Sequence, residues 1–183
     1  MFRGGYSGVD GRWRAKPIQD VQVGDEVAAY DPDSDTTQPR TVTNTFVHEQ
    51  VETLVVRLED GGTVETTAGH PFLTSDRGWT PAGHLGPGDH LHGPDGSWVT
   101  VATVEVTGKT CTVYNLEVEG LHTYHVRAGD TWTTVHNMCE KYIELAEQHI
   151  TDSGTTVLDR YPGYGRHETR SVSGWGLGRC SKS

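Results

Sequence analysis

Val135-His136-Asn137-Met138-Cys139 marks the point at which the character of the chain changes. Upstream of it, short runs of β-branched and aromatic residues alternate with Gly, Asp and Pro turns, which is typical of consecutive β-strands. Downstream, apolar residues at helical spacing predict one amphipathic helix at about 139–150, and a Gly/Arg/Ser-rich end follows for which we expect disorder. The pattern therefore predicts a β domain over residues 1–137 and a truncated extension over 138–183, which is too small to bury much core.

The composition narrows the class of protein. Only 33% of the 183 residues are hydrophobic and 23 are Gly, which favours many short strands and tight turns over a helical bundle. The net charge of −10 argues against a general nucleic-acid-binding role. Three cysteines are an odd number without metal-ligand spacing, so neither a disulfide scaffold nor a zinc ribbon is expected. No segment is apolar for long enough to span a bilayer, and Met1-Phe2-Arg3-Gly4-Gly5 lacks the apolar core of a signal peptide.

Two segments of the predicted β domain share one pattern. Gly24-Asp25-Glu26-Val27 and Gly88-Asp89-His90-Leu91 each follow a small apolar element and each lead into a predicted strand. Their wide separation indicates an internal duplication rather than a short-period repeat. We therefore predict an all-β, pseudo-duplicated domain built from short strands, among them Arg40–His48 and Glu52–Leu58.

The His136-Asn137 pair at the end of this domain has one specific chemical use. The side-chain amide nitrogen of an Asn can attack its own backbone carbonyl, which forms a succinimide and breaks the next peptide bond, while a neighbouring His transfers the protons. Alone, such a pair is more often a polar turn after a strand. Two other segments also carry histidines that could act in this chemistry or could cap turns, Thr67-Ala68-Gly69-His70 and Gly120-Leu121-His122-Thr123-Tyr124.

These three segments, in this order and with the two Gly-Asp units, resemble the blocks of the Hint (hedgehog/intein) domain family over roughly residues 1–139. The segment Val113-Tyr114-Asn115-Leu116-Glu117-Val118 and the ending Val135-His136-Asn137-Met138-Cys139 resemble in particular the pretoxin Hint domains of bacterial polymorphic toxins. In those proteins the domain lies just upstream of a variable C-terminal toxin. The resemblance implies an intein-like horseshoe of short strands.

The resemblance also implies roles for individual residues. Thr67 and His70 would polarise the peptide bond at the N-terminus of the domain. His122 and His136 would assist the cyclisation of Asn137, one by stabilising the oxyanion and the other by protonating the leaving amine. The resemblance does not say which of the two does which.

The chain departs from the family pattern at two places. Met1 stands where the family has a Cys or Ser nucleophile. Met138, which follows Asn137, cannot act as the acceptor nucleophile of splicing, and the possible nucleophile Cys139 lies one position too far. Full protein splicing is therefore not expected. We expect single-turnover cleavage of the Asn137–Met138 bond in cis, or alternatively an inactive Hint scaffold that is a remnant of a larger toxin.

Partners and cofactors follow from the same reasoning. Among ten histidines, His90 and His92 are the best candidates for a metal site, but alternate strand positions of this kind are more often exposed residues. We expect neither a metal nor another cofactor, and the resemblance offers no role for His125. The family context implies a part of a larger secreted polypeptide, a bacterial secreted or cell-surface toxin, that acts on its own chain rather than on nucleic acid or a membrane.

Overall fold

The computed structural model of the chain describes residues 3–7 and 13–137. This part is almost entirely β-structure, with two single-turn 3₁₀ segments, Ile18–Asp20 and Ala82–His84. The strands are β1 (Arg3–Ser7), β2 (Trp13–Pro17), β3 (Glu26–Asp31), β4 (Thr36–Leu58), β5 (Thr63–Thr66), β6 (Pro71–Thr74), β7 (Gly78–Pro81), β8 (His90–His92), β9 (Trp98–Val118), β10 (Thr123–Ala128) and β11 (Thr131–His136). The predicted all-β class is confirmed, and the helix predicted at about 139–150 lies outside the described residues.

The strands form one sheet that is nearly closed into a barrel. Its order is β10-β11-β6-β8-β9-β4-β3-β1-β2, with β5 paired to β4 and β7 paired to β6. An additional pairing of β1 with β10, through Gly4 opposite Val126, brings the two ends of the order together. Within residues 13–137, no helix is long and apolar enough to cross a bilayer.

Two strands are much longer than the sequence predicts. Arg40–His48 and Glu52–Leu58, expected as separate strands, belong to the single strand β4, which pairs with the equally continuous β9 along a long antiparallel ribbon. The polar break between them is absorbed by a shift of register between His48 and Val51, where Gln50 adopts a φ of 54°. Bulges of this kind bend a strand without ending it, which is why the division into two strands was wrong.

The two Gly-Asp units have the same local structure. The Gly24 N–H donates to the Val42 carbonyl at 2.9 Å, and the Gly88 N–H donates to the Val101 carbonyl at 2.9 Å. In each copy the valine N–H returns a hydrogen bond of 2.8 Å to the carbonyl of the Asp that follows the glycine. Both glycines have a φ close to 90°, a conformation that residues with a Cβ atom rarely adopt. This repetition supports the predicted internal duplication.

The core lies inside the sheet and is contributed by both halves of the chain. In β3 and β10 consecutive side chains are buried, because both faces of these strands are covered. The largest fully buried apolar side chains are Tyr124, Phe72, Leu91, Leu116, Val27, Val42, Val56, Val101, Val118, Val126 and Val135. The polar residues that end β11 are therefore fixed to a packed element.

Candidate active site

The end of β11 is where the predicted site residues meet. His136 is the last residue of β11 and Asn137 follows it, while His122 immediately precedes β10. Because β10 and β11 are antiparallel neighbours, with Thr123 opposite His136, the start of one strand lies beside the end of the other. The Asn137 N–H donates a hydrogen bond of 2.8 Å to the His122 carbonyl, which ties the two segments together.

His122 is held in the left-handed region of backbone conformation, with a φ of 54°. This conformation costs a non-glycine residue about 1 kcal/mol or more, so the surrounding structure must enforce it. The His122 N–H donates to the Val118 carbonyl at 3.2 Å and closes the turn between β9 and β10. The imidazole centroids of His122 and His136 are 6.3 Å apart. The turn therefore brings the His122 imidazole close to the His136 imidazole, next to Asn137.

His136 is packed under an indole. The ring of Trp79, on β7, meets the His136 ring edge to face with a centroid distance of 4.9 Å. Burial lowers the pKa of His136 to about 4, and a charge on His122 would lower it further, whereas a hydrogen bond with the Asn137 backbone acts in the opposite direction. His136 is consequently neutral near pH 7 and is able to accept a proton.

His70 belongs to the same cluster and is fixed by a turn. Its N–H donates to the Thr67 carbonyl at 3.2 Å, and its own carbonyl accepts from the Ala82 N–H at 2.9 Å. The imidazole meets the rings of Phe72 and Tyr124 at centroid distances of 6.0 and 6.3 Å. Burial lowers the pKa of His70 to about 4, with a further contribution from the charge of His136. His136 is thus close enough to His70 to affect the protonation of His70.

The Asn137 side chain is buried without being hydrogen-bonded at its oxygen. Only 3% of the residue is exposed, and its Oδ1 has no hydrogen-bond partner among residues 13–137. Leaving a buried polar atom unpaired costs about 1–3 kcal/mol. The backbone of Asn137 is anchored, while no hydrogen bond to a described residue holds its Oδ1 in place.

The structure thus brings together four of the five predicted catalytic residues, His70, His122, His136 and Asn137. Thr67 lies in the turn before His70, where it is half-buried and contributes its backbone carbonyl. Met138 and Cys139, expected at the cleaved bond and just beyond it, lie outside the described residues, as does Met1.

Two aromatic residues of this cluster were missed by the sequence reasoning. Trp79 covers His136, and Tyr124 packs against His70. The only sequence signal for Tyr124 is its position two residues after His122, in the predicted strand 123–127, where an aromatic side chain is expected to face the core. Nothing in the sequence links Trp79 to His136, because their contact depends on β6 pairing with both β7 and β11.

The pair proposed as the best metal candidate is not a pair of exposed residues. His90 is exposed as expected, but His92 is only 4% exposed and its Nδ1 is hydrogen-bonded to Thr134 at 2.9 Å. The expectation was therefore wrong for His92. In the part of the chain that the structure describes, no three His, Cys, Asp or Glu side chains lie together as metal ligands would.

The comparisons with known proteins agree with the fold. A solved intein-like domain from Clostridium thermocellum is 34% identical, with a TM-score of 0.62 over 75% of this chain and 99% of its own. The DnaB intein of Synechocystis sp. PCC 6803 is 22% identical, with a TM-score of 0.63 over 76% of this chain and 100% of its own. The gp41-1 intein is 24% identical, with a TM-score of 0.56 over 73% of this chain and 94% of its own.

The two inteins below 25% identity establish the fold alone, whereas the intein-like domain is a closer relative. No sequence among the curated proteins matches the chain. The model of one family, described as the pretoxin HINT domain, matches residues 8–138, which contain all of the clustered histidines and Asn137. The predicted resemblance is confirmed: the chain belongs to the pretoxin Hint domain family.

Proposed function

We propose that this domain cleaves its own chain between Asn137 and Met138 by cyclisation of Asn137, and that the cleavage releases a C-terminal segment of toxin type. The reaction is single-turnover and acts in cis. The observation that carries the proposal is the state of Asn137: its backbone is anchored to His122 at 2.8 Å, and its side chain is buried with Oδ1 unpaired among the described residues.

The first step forms a bond between Asn137 Nδ2 and the Asn137 carbonyl carbon. Burial and anchoring hold the reacting groups near one another, and positioning of this kind can remove roughly 7–11 kcal/mol of a barrier at best. As the bond forms, Nδ2 loses a proton and the carbonyl oxygen becomes an oxyanion. His136, which is neutral near pH 7, is suited to accept that proton.

The second step breaks the bond between the Asn137 carbonyl carbon and the Met138 nitrogen. The electron pair of that bond leaves with the nitrogen, which takes up a proton and becomes a free amine. The products are a chain ending in a succinimide at residue 137 and a fragment beginning at Met138. His122 and His136 share oxyanion stabilisation and proton delivery, which are worth about 10²–10³-fold and 10²–10⁴-fold respectively.

Splicing is not part of the proposal. The residue after the cleaved bond is Met138, whose thioether cannot attack an acyl group as a thiol or hydroxyl does. Thr67 and His70, which the resemblance assigns to the peptide bond at the N-terminus of the domain, have no direct role in the cleavage proposed here, and His70 acts only through its proximity to His136.

A second candidate is an inactive Hint scaffold, and the specific observation that favours it is Met1 at the position of the family's first nucleophile. The two candidates differ in one observable. A scaffold keeps the Asn137–Met138 bond indefinitely, whereas the processing domain does not.

Intact-mass measurement of the purified chain over time distinguishes them. We expect a 1–137 fragment one water lighter than its free acid, together with the complementary fragment beginning at Met138. Neither fragment should form in Asn137→Ala, whereas Asn44→Ala, which removes an exposed asparagine from β4, should cleave as the parent does. A chain that keeps its full mass through long incubation at mild pH and temperature would overturn the proposal in favour of the scaffold.

A further inference from the structure

A second pair of histidines, His125 on β10 and His92 on β8, is linked through Thr134 of β11. His125 is fully buried and His92 is 4% exposed. The Thr134 hydroxyl stands between them, 3.0 Å from His125 Nδ1 and 2.9 Å from His92 Nδ1. The other nitrogen of His125, Nε2, lies 3.0 Å from the Thr37 hydroxyl. None of these contacts takes part in the chemistry proposed at Asn137.

The donors and acceptors in the series of hydrogen bonds from Thr37 through His125 and Thr134 to His92 can be arranged in only one way. The Thr37 hydroxyl donates its single proton to the Pro94 carbonyl at 2.9 Å, so its oxygen must accept from His125 Nε2. Burial lowers the pKa of His125 to about 3, and a charge on His92 would lower it further, so the ring is neutral. A neutral ring protonated at Nε2 has a lone pair at Nδ1.

His125 Nδ1 therefore accepts the single proton of the Thr134 hydroxyl. The Thr134 oxygen must then accept from His92, which places a proton on His92 Nδ1. Burial also lowers the pKa of His92, which favours its neutral form. The series of hydrogen bonds ends at His92. Its Nε2 carries a lone pair and has no hydrogen bond to any described residue.

His92 lines an open cleft of about 420 Å³ that contains two carboxylates. Asp35 Oδ1 accepts a hydrogen bond of 2.8 Å from the Tyr30 hydroxyl, and Asp95 Oδ1 accepts one of 3.1 Å from the Ser97 N–H. Both carboxylates line the cleft together with His92. Among the described residues, the lining includes neither Lys nor Arg.

His92, Asp35 and Asp95 give this cleft hydrogen-bond acceptors and negative charge, which suit a cation that donates several hydrogen bonds. A metal ion fits poorly, because the described part of the chain holds no three ligand side chains at metal-binding separations. A guanidinium group has five N–H donors in one plane and carries a permanent positive charge. Its several donors can serve an imidazole lone pair, such as that of His92 Nε2, and a carboxylate of the same cleft.

We propose that this cleft binds an arginine side chain of the segment 160–182 of the same chain. Residues 13–137 contain 18 Asp or Glu and 7 Lys or Arg, whereas residues 160–182 contain five Lys or Arg and one Glu. The two parts of the chain are therefore opposite in charge. The arginines of the segment are Arg160, Arg166, Arg170 and Arg179.

The cleft is also close to where the extension begins. Thr134, which holds His92, precedes Asn137 by three residues on one strand, a distance of about 10 Å. The 23 residues from Asn137 to Arg160 could span roughly 75 Å if fully extended, so reach does not limit the contact. Tethering of this kind raises the effective concentration of a weak ligand to about the millimolar range.

The test uses the full chain with Asn137→Ala, which keeps the segment attached whether or not the parent chain cleaves. The readouts are the amide signals of Gly96 and Ser97 and the ¹⁵Nε2 signal of His92 by NMR. We expect all three to change when the four arginines are replaced together by Gln. A synthetic peptide of residues 160–183, with Cys180→Ser, should then restore them when it is added to the Gln-substituted chain.

Variants of the cleft identify the groups that bind. His92→Asn keeps a donor to Thr134 but removes the acceptor at the position of Nε2, and Asp95→Asn removes one carboxylate charge. We expect each to raise the Kd of the peptide about tenfold, the typical effect of losing one charge-assisted hydrogen bond. Asp20→Asn, which removes an exposed carboxylate elsewhere, should change the Kd less than twofold.

Three results would overturn the proposal. The first is a set of Gly96, Ser97 and His92 signals that does not respond to the replacement of the four arginines. The second is a peptide that binds the His92→Asn chain as tightly as the chain with His92. The third is an unrelated peptide of equal charge that binds as tightly as residues 160–183, which would reject this segment as the ligand.

Discussion

The backbone N–H of Asn137 donates a hydrogen bond of 2.8 Å to the carbonyl oxygen of His122. The bond joins the residue proposed to cyclise to the turn that carries one of its two neighbouring imidazoles. Because the His122 carbonyl makes the contact, the backbone anchor and the side-chain chemistry of His122 can be separated by mutation.

Replacing His122 by Asn should slow cleavage without unfolding the domain. Asn tolerates the left-handed conformation that His122 adopts at a φ of 54°, and its carbonyl can still accept from Asn137. The imidazole is lost, so we expect the rate of fragment formation to fall about 10²–10⁴-fold. The free energy of unfolding should change by less than about 1 kcal/mol. Intact mass over time and urea unfolding measure the two effects.

His90→Asn is the matched control, because His90 is an exposed histidine on β8 outside the cluster. It should cleave at the parent rate. Equal rates in the parent and in His122→Asn would show that the His122 imidazole has no part in the reaction, even if Asn137 does cyclise.

Trp79→Leu should raise the pKa of His136. The indole lies 4.9 Å from the imidazole, and burial is the main reason why the pKa of His136 is lowered to about 4. A smaller side chain admits water, so the pKa should move up toward the ordinary value of about 6.5. Titration of the His136 ring protons by NMR, in the Asn137→Ala chain, measures the change.

Trp98→Leu tests whether any tryptophan has this effect. Trp98 is 48% exposed and contacts His92 at a centroid distance of 5.1 Å, so it is remote from the cluster at Asn137. The pKa of His136 should be the same in Trp98→Leu as in its parent. An unchanged pKa in Trp79→Leu would mean that other groups exclude water from His136.

The sequence was sufficient to identify the segments that form the site but not all of their contacts. The segments Thr67-Ala68-Gly69-His70, His122 with its neighbours, and Val135-His136-Asn137 were recognisable because, in this order, they resemble the blocks of the Hint family. The contact between Trp79 and His136 could not be predicted, because it depends on strand pairings between distant segments. Long-range pairing is not encoded in local periodicity.

Alternation along β10 shows a second limit of the sequence. Tyr124 and His125 must point to opposite faces of the sheet, and a polar face would ordinarily be the one in water. Here both side chains are buried, because the sheet is nearly closed and its second face is covered as well. The hydrogen bonds of His125 with Thr37 and Thr134 therefore could not be predicted from the alternation of residues along the strand alone.

The duplicated units should respond alike to the same substitution. Gly24→Ala and Gly88→Ala each place a side chain at a φ near 90°. The added Cβ meets no atom within 4 Å, but the backbone conformation itself is unfavourable for a residue other than glycine. We expect each to lower the free energy of unfolding by about 1–2 kcal/mol. Gly86→Ala, also without a contact within 4 Å but without a left-handed φ, should change it little. Urea unfolding of the three variants measures this, and an unequal effect at Gly24 and Gly88 would argue against structural equivalence.

The stability of the domain should fall between pH 6.5 and pH 4.5. Burial lowers the pKa of His70 and His136 to about 4 and that of His125 to about 3. Below about pH 6.5 the unfolded chain binds protons at these histidines while the folded chain does not, so protons favour unfolding. The stability is therefore fully present above pH 6.5 and is lost as the pH falls toward 4. Each histidine adds up to about 1.4 kcal/mol per pH unit to the slope.

Urea unfolding of the Asn137→Ala chain across this range measures the slope, and His125→Gln assigns part of it. Gln keeps a donor toward Thr37 but does not titrate, so the slope should fall by the contribution of one histidine even if the variant is less stable at pH 7. The pKa values of Asp25, Asp31 and Asp95 are also lowered from 3.8, and these carboxylates contribute to the slope only below about pH 5, so the slope above pH 5 reports on the histidines. A slope that is the same with and without His125 would show that this histidine is not held neutral in the folded domain.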